Sequence, residues 1–243
     1  AVIGSGAAAF KFLSDGSPFS MAFWIRRHGT QQAQEPGVID NNGGTSGNVG
    51  FDTYMTEDSS GEIKTFIANG AGTTGAVEIA PMADNTWIHV VITHSGSGSG
   101  GDLKMYKDGV QSGSTVDTSS FSFSSSNPYT SLNIGRNPRS GASMNADISD
   151  IGIWEDHVLN SADIAKLKDG VKITDDGTGF DYSSSNLKAH IPLFNNDTET
   201  KGYHDDFTTV GVDFISTGIN RLGSVWVQAT GGSDSEITSG TSS

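Results

Sequence analysis

Cysteine is absent from the 243-residue chain, which removes disulfides, thiolate nucleophiles and thiolate zinc sites together and leaves the fold to rest on burial of apolar surface. Basic residues are scarce. Fourteen Lys and Arg against 28 Asp and Glu give a formal charge of −14, which argues against a sequence-independent grip on phosphate backbones or anionic lipid. No apolar run approaches the ~20 residues that span a bilayer, the longest being short stretches such as Met21 to Ile25 and Ile88 to Ile92. A soluble protein with no nucleic-acid partner and no membrane insertion is therefore expected. The opening AVIGSGAAAF shows no visible signal peptide, lacking a charged start and a long apolar stretch. That start fits removal of an initiator Met and an earlier processing event equally. Charge is low overall at 17%, and with 34% hydrophobic residues and a remainder of mostly Gly, Ser, Thr and Asn the chain can still bury a sizeable core. Its length suits one domain, or one plus an appendage.

What is present is glycine, at 32 residues, with abundant Ser and Thr and a single convincing helical segment. Such a composition predicts many short strands joined by tight turns. In FSMAFWIRR, Phe19 to Arg27, Met21, Phe23 and Ile25 alternate with Ala22, Trp24 and Arg26, the period of a strand, which is expected at the centre of a sheet. Further strands are predicted at Gly50 to Met55, Ile63 to Ala68, Ala76 to Ile79, Trp87 to His94, Leu103 to Lys107, Ser131 to Gly135 and Ile148 to Trp154. Asp108-Gly109 follows a strand directly and predicts a tight hairpin in which both residues take positive φ. SGSGSGG, just before, reads as a surface connector with nothing to pack. Asn160-Ser161 before ADIAKLK predicts a capped helix of about two turns, with Asp163 near its positive end and two lysines near its negative end. Asp169-Gly170 stops it. A polar link over 175–185 precedes the strand-like NLKAHIPLF, and the last sixteen residues carry almost no apolar content and are expected to be loose unless a neighbour orders them.

Taken in order, these segments resemble the laminin-G-like branch of the concanavalin A-like lectin and glucanase superfamily. FSMAFWIRR at 19–27 is similar to that family's early core strand, and NTWIHVVITHSGSGSGGDLKMYKDG at 85–109 to its W-x-H-V, loop, Y-x-D-G hairpin. LNIGR at 132–136 and ADISDIGIWEDHVLNSADIAKLKDG at 146–170 resemble its "IG" strand and its final strand with a short helix. The family often places an Asp in a G-x-I-D motif of that last strand, where this chain reads Ala146-Asp147-Ile148-Ser149. The resemblance implies an all-β fold, a two-sheet antiparallel jelly-roll β-sandwich with one short helix near residues 161–168. The expected organisation is a jelly-roll domain over 1–174, a C-terminal β extension over 175–228 that packs on or completes the sandwich, and a Gly/Ser-rich tail over 229–243. NLKAHIPLFNNDTET at 186–200 is similar to segments of surface proteins from tailed bacteriophages and marine bacteria.

Catalysis of the glucanase kind needs an acid and a nucleophile flanking one glycosidic bond, about 5–5.5 Å apart in retaining enzymes. The E-x-D-x-x-E strand motif is absent, and Glu155 and Asp156 as neighbours on a strand would point to opposite faces. No G-x-S-x-G elbow occurs, and the six His show no H-E-x-x-H spacing, so no catalytic residue is assigned. His89, in W-I-H-V-V, reads as a structural histidine between sheet and loop. Trp24, Trp87 and Trp154 have the chemistry to stack on sugars, but they sit inside strand patterns and read as core. Tyr129, Arg136, Asn137 and Arg139 fall on loops that bracket one strand, where they could hydrogen-bond sugar hydroxyls and pair an acidic sugar or a partner carboxylate. No cofactor is required on this reading. Calcium is the metal that would fit, held by Asp40, Asn42 and Asp52 or alternatively by Asp147 and Asp150.

These residues lead to an expected non-enzymatic recognition or adhesion module at a virion surface or outside the cell. Its expected partners are glycan or neighbouring copies in a larger assembly, as in a phage head-decoration or fibre protein. The alternatives are a secreted carbohydrate-active enzyme or free carbohydrate-binding module of the same fold, and a purely structural assembly protein.

Overall fold

A computed structural model of the chain describes residues 2–3, 10–31, 34–41, 49–56, 61–69, 74–123, 132–137, 140–170, 186–191, 214–215, 226–229 and 237–240. The strand placed at the centre by its alternation is central: Phe19–Arg27 (β2) pairs antiparallel with Trp87–His94 (β7) on one side and Ala146–Glu155 (β11) on the other. That sheet continues through Asp102–Lys107 (β8) to Val110–Asp117 (β9), and past β11 to Leu187–Ile191 (β12), in the order β12-β11-β2-β7-β8-β9. The second sheet runs Phe214–Ile215 (β13), Val2–Ile3 (β1), Leu132–Ile134 (β10), Gly37–Asp40 (β3), Val49–Met55 (β4), Ile63–Asn69 (β5) and Thr74–Glu78 (β6). All the pairings within these two sheets are antiparallel, and together they make a sandwich with, among the described residues, a single α-helix, as the jelly-roll expectation requires.

The core lies between the sheets because the alternating residues of both point there. Met21, Phe23 and Ile25 of β2 and Val90 and Ile92 of β7 meet Phe51 and Met55 of β4 and Ile63 and Ile67 of β5, all buried. Phe19 and Phe51 cross between the sheets edge to face, 5.4 Å apart at 88°. Thr53 and Thr65 also lie in this row, and their hydroxyls satisfy one another at 3.1 Å.

The hairpin and the helix follow their local signals. Asp108 and Gly109 have φ of 51° and 85°, joining β8 to β9. Asn160 caps the helix Ser161–Lys168 (α1) by accepting from the Ala162 and Asp163 amides at 2.9 and 3.1 Å, and Asp163 returns a bond to the Asn160 amide. Ile164 and Leu167 of α1, with Leu159, pack on Ala22, Val91 and Trp154, forming a second apolar cluster on the outer face of the β2 sheet. The helix therefore covers one part of that face.

Some strands had no signal of their own in the sequence, β9 and β3 among them. β9 is VQSGSTVD, mostly exposed and without an apolar face; the hairpin brings it to β8. β3 is four residues long and buried throughout. Near the end of the chain, Ile237–Gly240 (β15) pairs with Trp226–Ala229 (β14) as a separate two-stranded ribbon.

Candidate recognition surface

Antiparallel register places Asp147, Arg26 and Trp87 in one row across β11, β2 and β7, on the same outer face as Ala22 but beyond the cluster under α1. The Arg26 guanidinium donates through Nε and Nη2 to Oδ2 of Asp147 at 2.9 and 2.5 Å, and it lies 5.0 Å from the centre of the Trp87 ring. His28 Nε2 shares the same carboxylate oxygen at 2.8 Å, while its Nδ1 meets Asn85 Oδ1 at 2.9 Å. Burial by itself would raise the Asp147 pKa, but the hydrogen bonds from Arg26 and His28 outweigh it and hold the carboxyl below its ordinary range. Beside Asn85, Arg27 is paired with Asp84 at 2.6 Å.

This row corrects the expectation that all three strand tryptophans are core. Trp154 is core, buried under α1, and Trp24 is half-buried against His89 with ring centres 5.1 Å apart. Trp87 is 39% exposed because it opens its strand at the end of the sheet that the helix does not reach. His89 sits in the next row, opposite Trp24, and is 2% exposed with no hydrogen-bond partner for Nδ1. Burial drives its pKa down to about 4 against the opposing pull of Asp150 and Asp108, so the imidazole is neutral at pH 7, as a structural histidine requires.

The other predicted residues are dispersed. Arg136 is exposed on the turn after β10, with Nε donating to the Gly141 carbonyl at 3.3 Å. Asn137 beside it is fully buried: its Nδ2 donates to the Glu35 carbonyl and its Oδ1 accepts from the Ser140 amide, so its side chain builds the turn and does not face outward. Tyr129, Arg139 and Asn42 lie outside the described residues. Asp40 and Asp52 are brought together as direct partners across β3 and β4, on the face opposite the core row, and are 1% and 5% exposed. Asp147 precedes a β-bulge and Asp150 lies within it, and they serve different partners, Asp150 Oδ1 accepting from His190 Nε2 at 2.6 Å. Among the described residues no three His, Asp or Glu side chains converge as a metal-binding group.

Carboxylates also oppose each other at Asp102 and Asp117 across β8 and β9, where Lys104 holds Asp102 at 2.9 Å and the Ser119 amide donates to Asp117. Glu155 is paired with Lys188 at 2.5 Å, and Asp156 already lies past the end of β11 with φ of 53°. An open groove of about 470 Å³ runs between β6 and β9, lined by Glu62, Glu78, Ser112 and Ser114 among others. Sequence reasoning missed the Trp87 row, and the available signal was the turn residue Asn85 two positions before a strand-opening Trp.

No curated protein sequence matches the chain. Among solved structures, a candidate carbohydrate-binding protein from Bacteroides ovatus superposes with a TM-score of 0.55 at 15% identity, covering 82% of this chain and 50% of that one. The binding domain of botulinum neurotoxin DC, solved with rat synaptotagmin II, superposes with a TM-score of 0.52 at 18% identity, covering 71% of this chain and 40% of that one. At these identities the likeness is one of fold, and this chain spans about two fifths of the length of the toxin domains it resembles. Residues 4–165 match the concanavalin A-like lectin/glucanases superfamily, and because that match takes in more than half of the sequence, the chain belongs to this family.

Proposed function

We propose that the chain is a non-enzymatic recognition module that binds glycan or a protein surface, with the two sheets as a rigid frame. The observation that carries this reading is the shared sandwich: both solved structures with TM-scores above 0.5 named above are binding proteins or binding domains. The carboxylates give the reading further support. Asp40 and Asp52 are cross-strand partners, and their burial keeps them from a glycosidic bond. Asp102 is occupied by Lys104.

Arg136, on its exposed turn, is a contact residue in this proposal, and Tyr129 and Arg139 are its further candidates from the sequence. Calcium belongs to it at Asp40 and Asp52, with Asn42 as a further oxygen donor, because two opposed carboxylates gain from a hard cation between them. Display on a virion or cell surface beside neighbouring copies is its finest part, and the similarity of residues 186–200 to phage and marine bacterial surface proteins supports it.

A glycan array probed with the whole chain, with and without calcium, tests the binding reading, and polysaccharide hydrolysis assays run beside it. Saturable binding without turnover is expected. Turnover of a polysaccharide would overturn it. Immunogold labelling of particles from the source, with the native mass by light scattering, tests display.

A further inference from the structure

Resting on the reading of the chain as a recognition module, we propose that Trp87, with Asn85, Arg26 and Asp147 around it, is a sugar-contacting subsite whose ligand is an uncharged pyranose. Among the described residues Trp87 is the one exposed large aromatic. A single exposed apolar side chain is ordinary in a folded protein, so exposure alone assigns nothing. What distinguishes this one is how it is held and what surrounds it.

The indole is held in place. Arg26 lies over one face of it, and Arg26 is itself fixed by two hydrogen bonds to Asp147 from an adjacent strand in register. Asn85 is fixed too, by its left-handed φ of 57°, by its amide donating to the Arg27 carbonyl at 2.7 Å, and by His28 against its Oδ1. The remaining ring surface is therefore presented in one orientation at the end of a central pair of strands, and a sugar binding there would find it already ordered.

The polar atoms around the ring are only partly used inside the protein. Asp147 takes all of its bonds on Oδ2, from Arg26 and His28, which leaves Oδ1 as an open acceptor on a side chain 43% exposed. Among the described residues, Arg26 spends Nε and Nη2 and keeps Nη1, Asn85 spends Oδ1 and keeps Nδ2, and Trp87 Nε1 has no partner. Such a set of three donors and one acceptor beside an aromatic ring suits vicinal hydroxyls, each of which both donates and accepts. The apolar C–H face of the same pyranose then lies on the indole.

Charge selects against an acidic ligand. The Arg26 cation is offset by Asp147 and the Arg27 cation by Asp84, so neither guanidinium stands without a carboxylate, while the chain as a whole stands at −14. This separates it from the turn at Arg136, whose guanidinium would favour a carboxylate.

The test titrates the whole chain with neutral gluco-, manno- and galacto-oligosaccharides and, in parallel, with oligogalacturonates. It follows calorimetric heat and acrylamide quenching of tryptophan fluorescence, with circular dichroism to confirm folding. Binding of at least one neutral oligosaccharide is expected, with protection of the exposed indole from quenching. Trp87→Ala should weaken that binding about tenfold or more and abolish the protection, Trp87→Phe should retain part of it, and Val110→Ser on the distant hairpin should match the unaltered chain. Asn85→Gly, which tolerates the left-handed φ, should weaken binding severalfold and supplies an independent variant should Trp87→Ala fold poorly. Full affinity in both Trp87→Ala and Asn85→Gly, or binding of oligogalacturonates alone, overturns the subsite. Binding lost in Arg136→Ala and kept in Trp87→Ala also overturns it while leaving the recognition reading intact. Silence of the unaltered chain toward both sugar classes, by contrast, refutes glycan recognition itself and the subsite with it.

Discussion

His89 makes the sandwich sensitive to acid in a window set by its burial. In the unfolded chain the imidazole takes up a proton near pH 6.5, whereas in the folded protein burial holds it neutral down to about 4. Between those values the unfolded state binds the extra proton, so stability is fully present above pH 6.5 and is lost as the pH falls through 4. At about 1.4 kcal/mol per pH unit, the full loss is about 3 kcal/mol, of which about 2 kcal/mol falls between pH 7 and pH 4.5. The perturbation is His89→Leu, which removes the titrating group and the unpartnered Nδ1 while keeping a similar volume. Urea denaturation at pH 7, 6, 5 and 4.5 should show the unaltered chain losing about 2 kcal/mol more than the variant over that range. His94, also lowered by burial, contributes to the slope of both proteins and cancels in the comparison. Equal slopes in the two proteins would refute the reasoning, as would an NMR titration of His89 with its midpoint near 6.5.

Asn160→Ala removes the cap bonds to Ala162 and Asp163 and should cost about 1 kcal/mol in urea denaturation without changing the m-value. Gly37→Ala should cost about 1–3 kcal/mol and disturb NMR signals of the Arg136 turn, because a Cβ there would collide with the backbone of Arg136 and Asn137. Phe23→Ala, at the centre of the core, should cost about 3–5 kcal/mol by the same denaturation assay. Millimolar calcium should raise the melting temperature of the unaltered chain and leave Asp52→Asn unmoved, and an equal response of the two would remove the Asp40–Asp52 pair as the calcium site.

Where chemistry acts between near neighbours, the sequence by itself determined the outcome. β2 and β7 fall at the residues expected, the Asp108-Gly109 hairpin has both positive φ angles, and the α1 cap and stop are where Asn160 and Asp169-Gly170 put them. Each of these depends on a period of two, a turn geometry or a capping bond that spans at most a few residues. Only the tertiary structure decided the rest. β9 has no apolar pattern and is a strand because β8 offers it an unpaired edge. Arg136 and Asn137 are adjacent in sequence, yet one is exposed and the other buried against Glu35, a hundred residues earlier in the chain. Trp24, Trp87 and Trp154 share the same local pattern, and their different exposures follow from where α1 lies on the sheet. Asp147, Arg26 and Trp87 meet through the register of three strands far apart in sequence. Burial and cross-strand register are set by which surfaces come together, and no local period encodes them.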